Sequence, residues 1–163
     1  MPTAIGQELV ALLPRLRRFA LVLCRSPSLA DDLVQSACER ALAHAASWTP
    51  GTRLDAWVFR ILRNNWIDHL RRTRTEGMSE DVTVQTEIVG DRGEEPALSK
   101  LMLAEVQQCI NALPSDQREV LLLVCVEDLA YREAADVLGV PIGTVMSRLA
   151  RARKRLVEMT DAA

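Results

Sequence analysis

Aromatic residues are scarce in this chain: three Trp, two Phe and one Tyr make up 4% of its 163 residues. Glycine and proline are also few, at seven each, whereas 48% of the residues are hydrophobic. Strands favour aromatic and β-branched residues, so this composition argues against a sheet and favours packed helices. No apolar run approaches the ~20 residues of a membrane span, and the first ten residues lack the blocks of a signal peptide.

Patterns that would bind metals or carry catalysis are missing as well. The four cysteines are Cys24, Cys38, Cys109 and Cys125. They show no CxxC or Cys/His ligand spacing, and each lies among apolar residues. These spacings predict no zinc site and favour small buried thiols. His44 and His69 lack a nucleophile or ligand pattern, and no Gly-rich phosphate loop is present. We therefore expect no catalytic site, no metal and no cofactor, in a soluble cytoplasmic protein with reduced thiols.

Charge is distributed in blocks, although the formal net charge is only −2. Residues 53–74 contain six Arg and two Asp, and residues 76–96 contain seven acids and one Arg. Residues 144–156 contain four Arg and one Lys without any acid. Such alternation suggests segments with different electrostatic tasks.

Hydrophobic periodicity predicts an all-α fold made of two small helical domains. Residues 5–74 show apolar residues at three- and four-residue steps, with Ser28 as a candidate N-cap and Pro14 as either a kink or a fresh helix start. Residues 75–98 are acidic and lack a helical period, which predicts a flexible linker. Residues 99–159 are helical again.

The stretch from Tyr131 to Leu156, "YREAADVLGVPIGTVMSRLARARKRL", has the pattern of a helix-turn-helix. Gly139 suits the left-handed position that ends a helix, and Pro141 suits the first turn of the next one. On a helical wheel, a narrow apolar stripe accompanies a face of hydroxyls and guanidiniums. The residues of that face are Thr144, Ser147, Arg148, Arg151 and Arg155. It suits DNA phosphates and guanine edges, and the alternative is a solvated basic face.

Two parts of the chain resemble one bacterial family. "LPSDQREVLLLVCVEDLAYREAADVLGVPIGTVMSRLARARKRL" resembles region 4 of sigma factors of the extracytoplasmic-function (ECF) class. "ADDLVQSACERALAHAASW" and "LDAWVFRILRNNWIDHLRR" resemble region 2 of the same class. The resemblance implies a protein that binds core RNA polymerase and directs it to promoter DNA. Region 4 would read the −35 element as duplex, and region 2 would recognise and open the −10 element.

The resemblance also implies roles for particular residues. Recognition of the −35 element would fall to Thr144, Met146, Ser147, Arg148, Arg151 and Arg155. Binding and melting at the −10 element would use Arg60, Arg63, Asn64 and Arg71, with a pocket for a flipped base in the loop "WTPGTRLD". Core polymerase would contact Asp31, Asp32, Leu33, Gln35 and Glu39.

Several of these residues have a second interpretation. Asp31 and Asp32 could instead stabilise a helix N-terminus. Met146 and Ala150 could read thymine methyls, although filling space is the favoured interpretation. Trp57 and Trp66 could stack on bases, although core packing is favoured.

Other classes of protein remain as alternatives. A stand-alone helix-turn-helix repressor or activator would dimerise to read two half-sites. A sigma-like decoy would bind a regulator without binding DNA, and an enzyme has the least support. The family also implies an anti-sigma factor as a partner. The acidic linker could either mimic nucleic acid in the polymerase or serve as a soluble tether.

Overall fold

The structure is a computed structural model that describes residues 4–76 and 97–161, with side chains from residue 104 onward in the second range. All regular elements within these ranges are helical, which confirms the predicted all-α fold. The α-helices in chain order are α1 (Ala4–Cys24), α2 (Pro27–Ala43), α3 (Leu54–Thr75), α4 (Ala97–Asn111), α5 (Ser115–Leu121), α6 (Tyr131–Leu138) and α7 (Ile142–Asp161). The predicted linker, residues 75–98, falls largely outside the described residues.

The chain divides into two compact units. One contains α1, α2, α3 and the end of α6 from Asp136 onward, and the other contains the rest of α6 together with α4, α5 and all of α7. In the first unit each helix contacts the other two. Phe19 and Phe59 are fully buried at its centre, with ring centroids 5.4 Å apart in an edge-to-face arrangement. Burial of each large apolar side chain stabilises the fold by about 1.5–3 kcal/mol, so this cluster anchors the three helices.

Helix α1 continues through Pro14 as one helix, which excludes the fresh helix start, one of the two alternatives at this residue. The predicted N-cap of α2 is wrong. Ser26 is the capping residue, and its Oγ accepts a hydrogen bond from the backbone N–H of Leu29 at 3.4 Å. Pro27 occupies the first helical position, where its missing N–H has no acceptor to lose. Ser28 therefore lies inside the helix.

A buried carboxylate lies in the first turn of α3. Asp55 Oδ2 accepts hydrogen bonds from Arg15 Nη2 at 2.8 Å and from Arg53 Nη2 at 2.7 Å. Its Oδ1 accepts from Arg53 Nε at 3.1 Å and from the Ala56 N–H at 2.8 Å. Burial raises the pKa of Asp55, but the hydrogen bonds from Arg53, Arg15 and Ala56 outweigh it, so the pKa lies below its usual range. Arg15 also lies over the Phe59 ring, which joins the carboxylate to the core.

In the second unit, α4 and α5 both pack against α7. The buried side chains include Leu113, Val120 and Leu123 from the α4–α5 part of the chain, and Val145 and Leu149 from α7. Helix α5 ends in a π-helical turn, Leu122–Val126, and the Glu127 N–H then donates to the carbonyl of Leu122 at 2.9 Å. This wider turn shifts the helical phase of the residues that follow it.

The cysteines are less uniform than predicted. Cys24 is buried, Cys38 and Cys109 are partly buried, and Cys125 is exposed in the π-helical turn. The prediction of a buried thiol is therefore wrong for Cys125. Burial raises the pKa of Cys24, and also that of Cys38, which keeps both thiols protonated at neutral pH.

Within residues 4–76 and 97–161, no group of three or more His, Cys, Asp or Glu side chains is placed to hold a metal ion. Among the helices of these ranges, none has the length and apolar character needed to cross a membrane.

Candidate nucleic-acid interface

Helices α6 and α7, with the turn that joins them, form the predicted helix-turn-helix. Gly139 adopts φ 65°, in the left-handed region that residues with a Cβ rarely enter, and the Val140 N–H donates to the carbonyl of Ala135 at 3.1 Å. Pro141 lies just before α7, and its carbonyl accepts from the N–H groups of Thr144 at 3.0 Å and Val145 at 3.3 Å. Proline therefore occupies the capping position, one residue before the predicted first turn.

Helix α7 has a buried stripe and a solvent-facing side. Val145, Leu149 and Ala152 are buried as predicted, and Leu156 is partly buried. Arg151 and Arg155 are exposed, and so is Ser147, whose Oγ donates to the carbonyl of Thr144 at 3.1 Å. The exposed cations of α7 can thus reach a polyanion while the stripe holds the helix in the unit.

Arg148 differs from the other cations of the predicted face. Its side chain is partly buried, and its Nε lies 3.6 Å from Asp116 Oδ2 in the first turn of α5. At 100° per residue, Arg148 is only about 70° from the centre of the buried stripe, so it extends along the protein surface. The ion pair places one negative charge at the edge of the cationic face.

Three further residues of α7 are exposed. Met146 is 51% exposed, so its side chain is available to a partner and is not part of the core. Ala150 is exposed too. Lys154 was not among the predicted site residues, yet it is exposed and faces almost directly away from the buried stripe. A wheel centred on that stripe, instead of on Thr144, would have identified Lys154.

A second cationic surface lies on α3. Arg60, Asn64 and Arg71 are exposed, consistent with the predicted shared face, and Arg63 is partly buried. The adjacent Asn65 has a different role, because it is buried and its Nδ2 donates to Ser36 Oγ of α2 at 3.3 Å. Only the first of the two consecutive asparagines is therefore presented to solvent.

The loop before α3 is compact. Gly51 adopts φ 92°, and Thr52 Oγ1 donates to the carbonyl of Thr49 at 2.6 Å. The indole Nε1 of Trp48 is buried and has no hydrogen-bond partner among the described residues. Arg53 closes the loop through its two hydrogen bonds to Asp55.

Trp57 and Trp66 are both partly buried, so each contributes to packing without being enclosed by the core. The Trp66 ring stacks on the imidazole of His69, with centroids 5.8 Å apart and an interplanar angle of 17°. This contact occupies one side of the His69 ring and gives the imidazole a packing role.

An acidic face runs along α2. Asp31, Asp32, Gln35 and Glu39 are all exposed, and Gln35 Nε2 donates to Glu39 Oε1 at 3.3 Å. Asp31 also pairs with Arg17 of α1 at 3.0 Å. Leu33 is only 5% exposed and packs in the core, so its side chain offers little surface to the polymerase.

The start of α2 weighs against the alternative role of these acids. Because the helix begins at Pro27, Asp31 and Asp32 lie beyond its first turn. The stabilising effect of the helix dipole on an acid declines within that turn. Stabilisation of the helix N-terminus therefore does not explain why Asp31 and Asp32 are both acidic.

The fold and these surfaces define a helical protein with a helix-turn-helix domain. Two family models match it: "Sigma-70 region 2" over residues 9–76 and "Sigma-70, region 4" over residues 103–156. The chain is 37% identical to the ECF RNA polymerase sigma factor EcfG of Rhodopseudomonas palustris over 94% of this chain and 83% of that protein. It is 29% identical to the ECF sigma factor SigM of Bacillus subtilis, over 85% and 84% of the two chains.

A solved structure gives the same result. The sigma factor RpoE of Bartonella quintana, in a complex with the anti-sigma factor NepR, superposes with a TM-score of 0.77. It is 36% identical, with 95% of each chain covered. The chain therefore belongs to the ECF class of sigma-70-family RNA polymerase sigma factors.

Proposed function

We propose that this chain acts as a promoter-recognition subunit, which binds core RNA polymerase and directs it to a set of promoters. The observation that carries the proposal is the pairing of two surfaces in one chain of this family. These are the exposed cations of a helix-turn-helix on α7 and the acid and amide side chains on α2. A stand-alone repressor needs the first surface but has no need of the second.

The work is divided between the units. In the proposal, residues 99–159 read the −35 element as duplex through Thr144, Met146, Ser147, Arg151, Arg155 and the additional Lys154, with Arg148 at the edge. Residues 5–74 bind and melt the −10 element through Arg60, Arg63, Asn64 and Arg71. Asp31, Asp32, Gln35 and Glu39 dock on a basic surface of the polymerase. Residues 75–98 connect the two parts.

The proposed activity uses binding energy and requires no chemical step by the chain itself. A positively charged helix face can follow the backbone of a single strand, and exposed amides can read an unpaired base. Because its partner is the transcribing polymerase, we place the protein in the cytoplasm.

We also propose that an anti-sigma factor of the NepR type holds the chain inactive. The similarity of the chain to a NepR-bound sigma factor over 95% of both proteins supports this partner. A purified NepR-type protein from the organism that produces this chain should compete with core polymerase for the chain in a pull-down assay. Unchanged holoenzyme formation at a large excess of that protein would contradict the proposal.

Transcription from a library of random promoters tests the main proposal. Core polymerase is assayed with and without the full chain, and the dependent transcripts are sequenced. We expect these promoters to share two motifs at a fixed spacing. If no transcript depends on the chain while the chain alone binds duplex DNA tightly at physiological salt, the repressor alternative is correct.

A further inference from the structure

Gly143 lies in the first turn of α7, where neither its backbone conformation nor a close neighbour among the described residues requires a glycine. Its φ is outside the left-handed region, in contrast to Gly51 and Gly139, whose positive φ angles explain those glycines. Among the described residues, apart from its two chain neighbours and the adjacent backbone of α7, a Cβ built on Gly143 would meet no atom within 4 Å. An alanine would thus fit this position in the free protein.

Glycine also has a cost at this position. It loses more conformational freedom on folding than other residues, and it lowers helix stability relative to alanine. Helix α7 begins directly after the turn, where a firm first turn would help to define its direction. A residue that weakens the helix and relieves no internal contact is best explained by a contact outside the chain.

The position of Gly143 indicates what that contact is. Gly143 is exposed and lies about 150° around the helix from the centre of the stripe formed by Val145, Leu149 and Ala152. Ser147, one turn later, has its hydroxyl hydrogen-bonded to the backbone of Thr144. The exposed cations Arg151 and Lys154 follow on the same side and would attract a polyanion to it.

We infer that Gly143 is the point of closest approach between α7 and the promoter duplex. The missing side chain lets the helix backbone approach the DNA closely. The side chains of Ser147 and Arg151 can then reach into the groove. Gly143 is thus a positioning residue for the −35 contact. This inference rests on the proposed function and extends it to a residue that acts through the absence of a side chain.

The test compares Gly143→Ala and Gly143→Leu with the unchanged chain, in holoenzyme with core polymerase. The DNA is a promoter recovered from the random library, in a form with its upstream element intact and a form with that element scrambled. We expect Gly143→Ala to weaken binding to the intact promoter about tenfold, and Gly143→Leu to weaken it further. On the scrambled promoter the three proteins should bind equally.

Stability and polymerase binding serve as the internal controls. The Tm of Gly143→Ala should equal that of the unchanged chain or exceed it by up to about 4 °C. Affinity for core polymerase should be unchanged. Val157→Ile adds one methyl at another exposed position of α7 and should bind the intact promoter normally.

Each outcome decides the question. If Gly143→Ala binds the intact promoter as tightly as the unchanged chain, or if its Tm falls, the inference is wrong and the proposed function stands. If the unchanged chain supports no promoter-dependent transcription at all, the proposed function itself fails. Promoter binding lost together with an unchanged or raised Tm supports the inference.

Discussion

Arg148 Nε lies 3.6 Å from Asp116 Oδ2, which joins the helix proposed to enter DNA to the first turn of α5. The carboxylate is about half exposed, so it contributes a negative charge at the surface that a DNA phosphate must approach. A surface ion pair of this kind contributes only about 0.2–1 kcal/mol. Its consequence is therefore greater for DNA binding than for the stability of the unit.

Asp116→Asn should strengthen duplex binding. Removing the carboxylate eliminates a like-charge interaction with phosphate and releases Arg148 to pair with DNA. We expect about a two- to fivefold gain in affinity at low salt, in keeping with the energy of an exposed ion pair. Fluorescence anisotropy of a labelled promoter duplex across a salt series measures the gain.

Asp116→Asn in an Arg148→Ala background measures how much of the gain depends on the Arg148–Asp116 ion pair. The gain from Asp116→Asn should then shrink, because the residue that it releases is gone. A loss of affinity on Asp116→Asn in the unchanged background would mean that the carboxylate holds Arg148 in its DNA-binding position.

Arg151→Ala should weaken the preference for the upstream element at one of its positions. Arg151 is exposed on the side of α7 that faces away from the buried stripe. If its guanidinium reads a base, the loss is about 1–3 kcal/mol and specificity relaxes at one position of that element. In vitro transcription from promoters with single substitutions in the element identifies that position.

Arg153→Ala is the matched control, since it removes the same charge from the same helix. Arg153 is exposed but lies about 160° around the helix from Arg151. Its substitution should leave the base preferences unchanged. Equal losses of affinity from the two substitutions, with unchanged base preferences, would show that the cations act only through net charge.

Much of α7 could be predicted from sequence, because local periodicity determines which residues are buried. Val145, Leu149 and Ala152 repeat at helical spacing, and Gly139 followed by Pro141 marks the turn. The pairing of Arg148 with Asp116 could not be predicted in this way. It depends on how α5 packs against α7, which no local pattern encodes.

The errors elsewhere also have physical causes. Ser26 and Ser28 are both suitable caps, and the deciding signal was Pro27, which favours the first helical position. Cys125 fits a buried stripe at 3.6 residues per turn, but the π-helical turn moves it out of phase. Asp55 is joined to an arginine forty residues earlier in the chain, so its burial arises from tertiary structure.

Charge reversal on α2 should weaken core polymerase binding. Glu39→Lys places a cation on the acidic face, where it would oppose a basic partner. We expect the affinity for core polymerase to fall about tenfold or more, with the Tm within a degree or two of the unchanged chain. Glu8→Lys makes the same charge change at an exposed position of α1 and is the control. Equal losses from both substitutions would argue against a localised docking face.

Asp55→Asn should destabilise the first unit. The neutral amide loses the charge that pairs with Arg15 and Arg53, and hydrogen bonds to charged groups contribute about 1.5–3 kcal/mol. Urea unfolding at pH 7 should show a decrease in the free energy of unfolding of that size. Asp32→Asn removes an exposed carboxylate and should change it by less than about 0.5 kcal/mol.

The same carboxylate should produce a defined acid sensitivity. Because the pKa of Asp55 is lower in the folded state than in the unfolded state, the unfolded chain binds more protons at this site. The contribution of Asp55 is therefore complete above the unfolded value of about 4 and is lost as the pH falls through the lower folded pKa. Below about pH 4, the difference in unfolding free energy between the unchanged chain and Asp55→Asn should shrink. A difference that stays constant from pH 7 to pH 2 would mean that packing, and not the charge of Asp55, stabilises the first turn of α3.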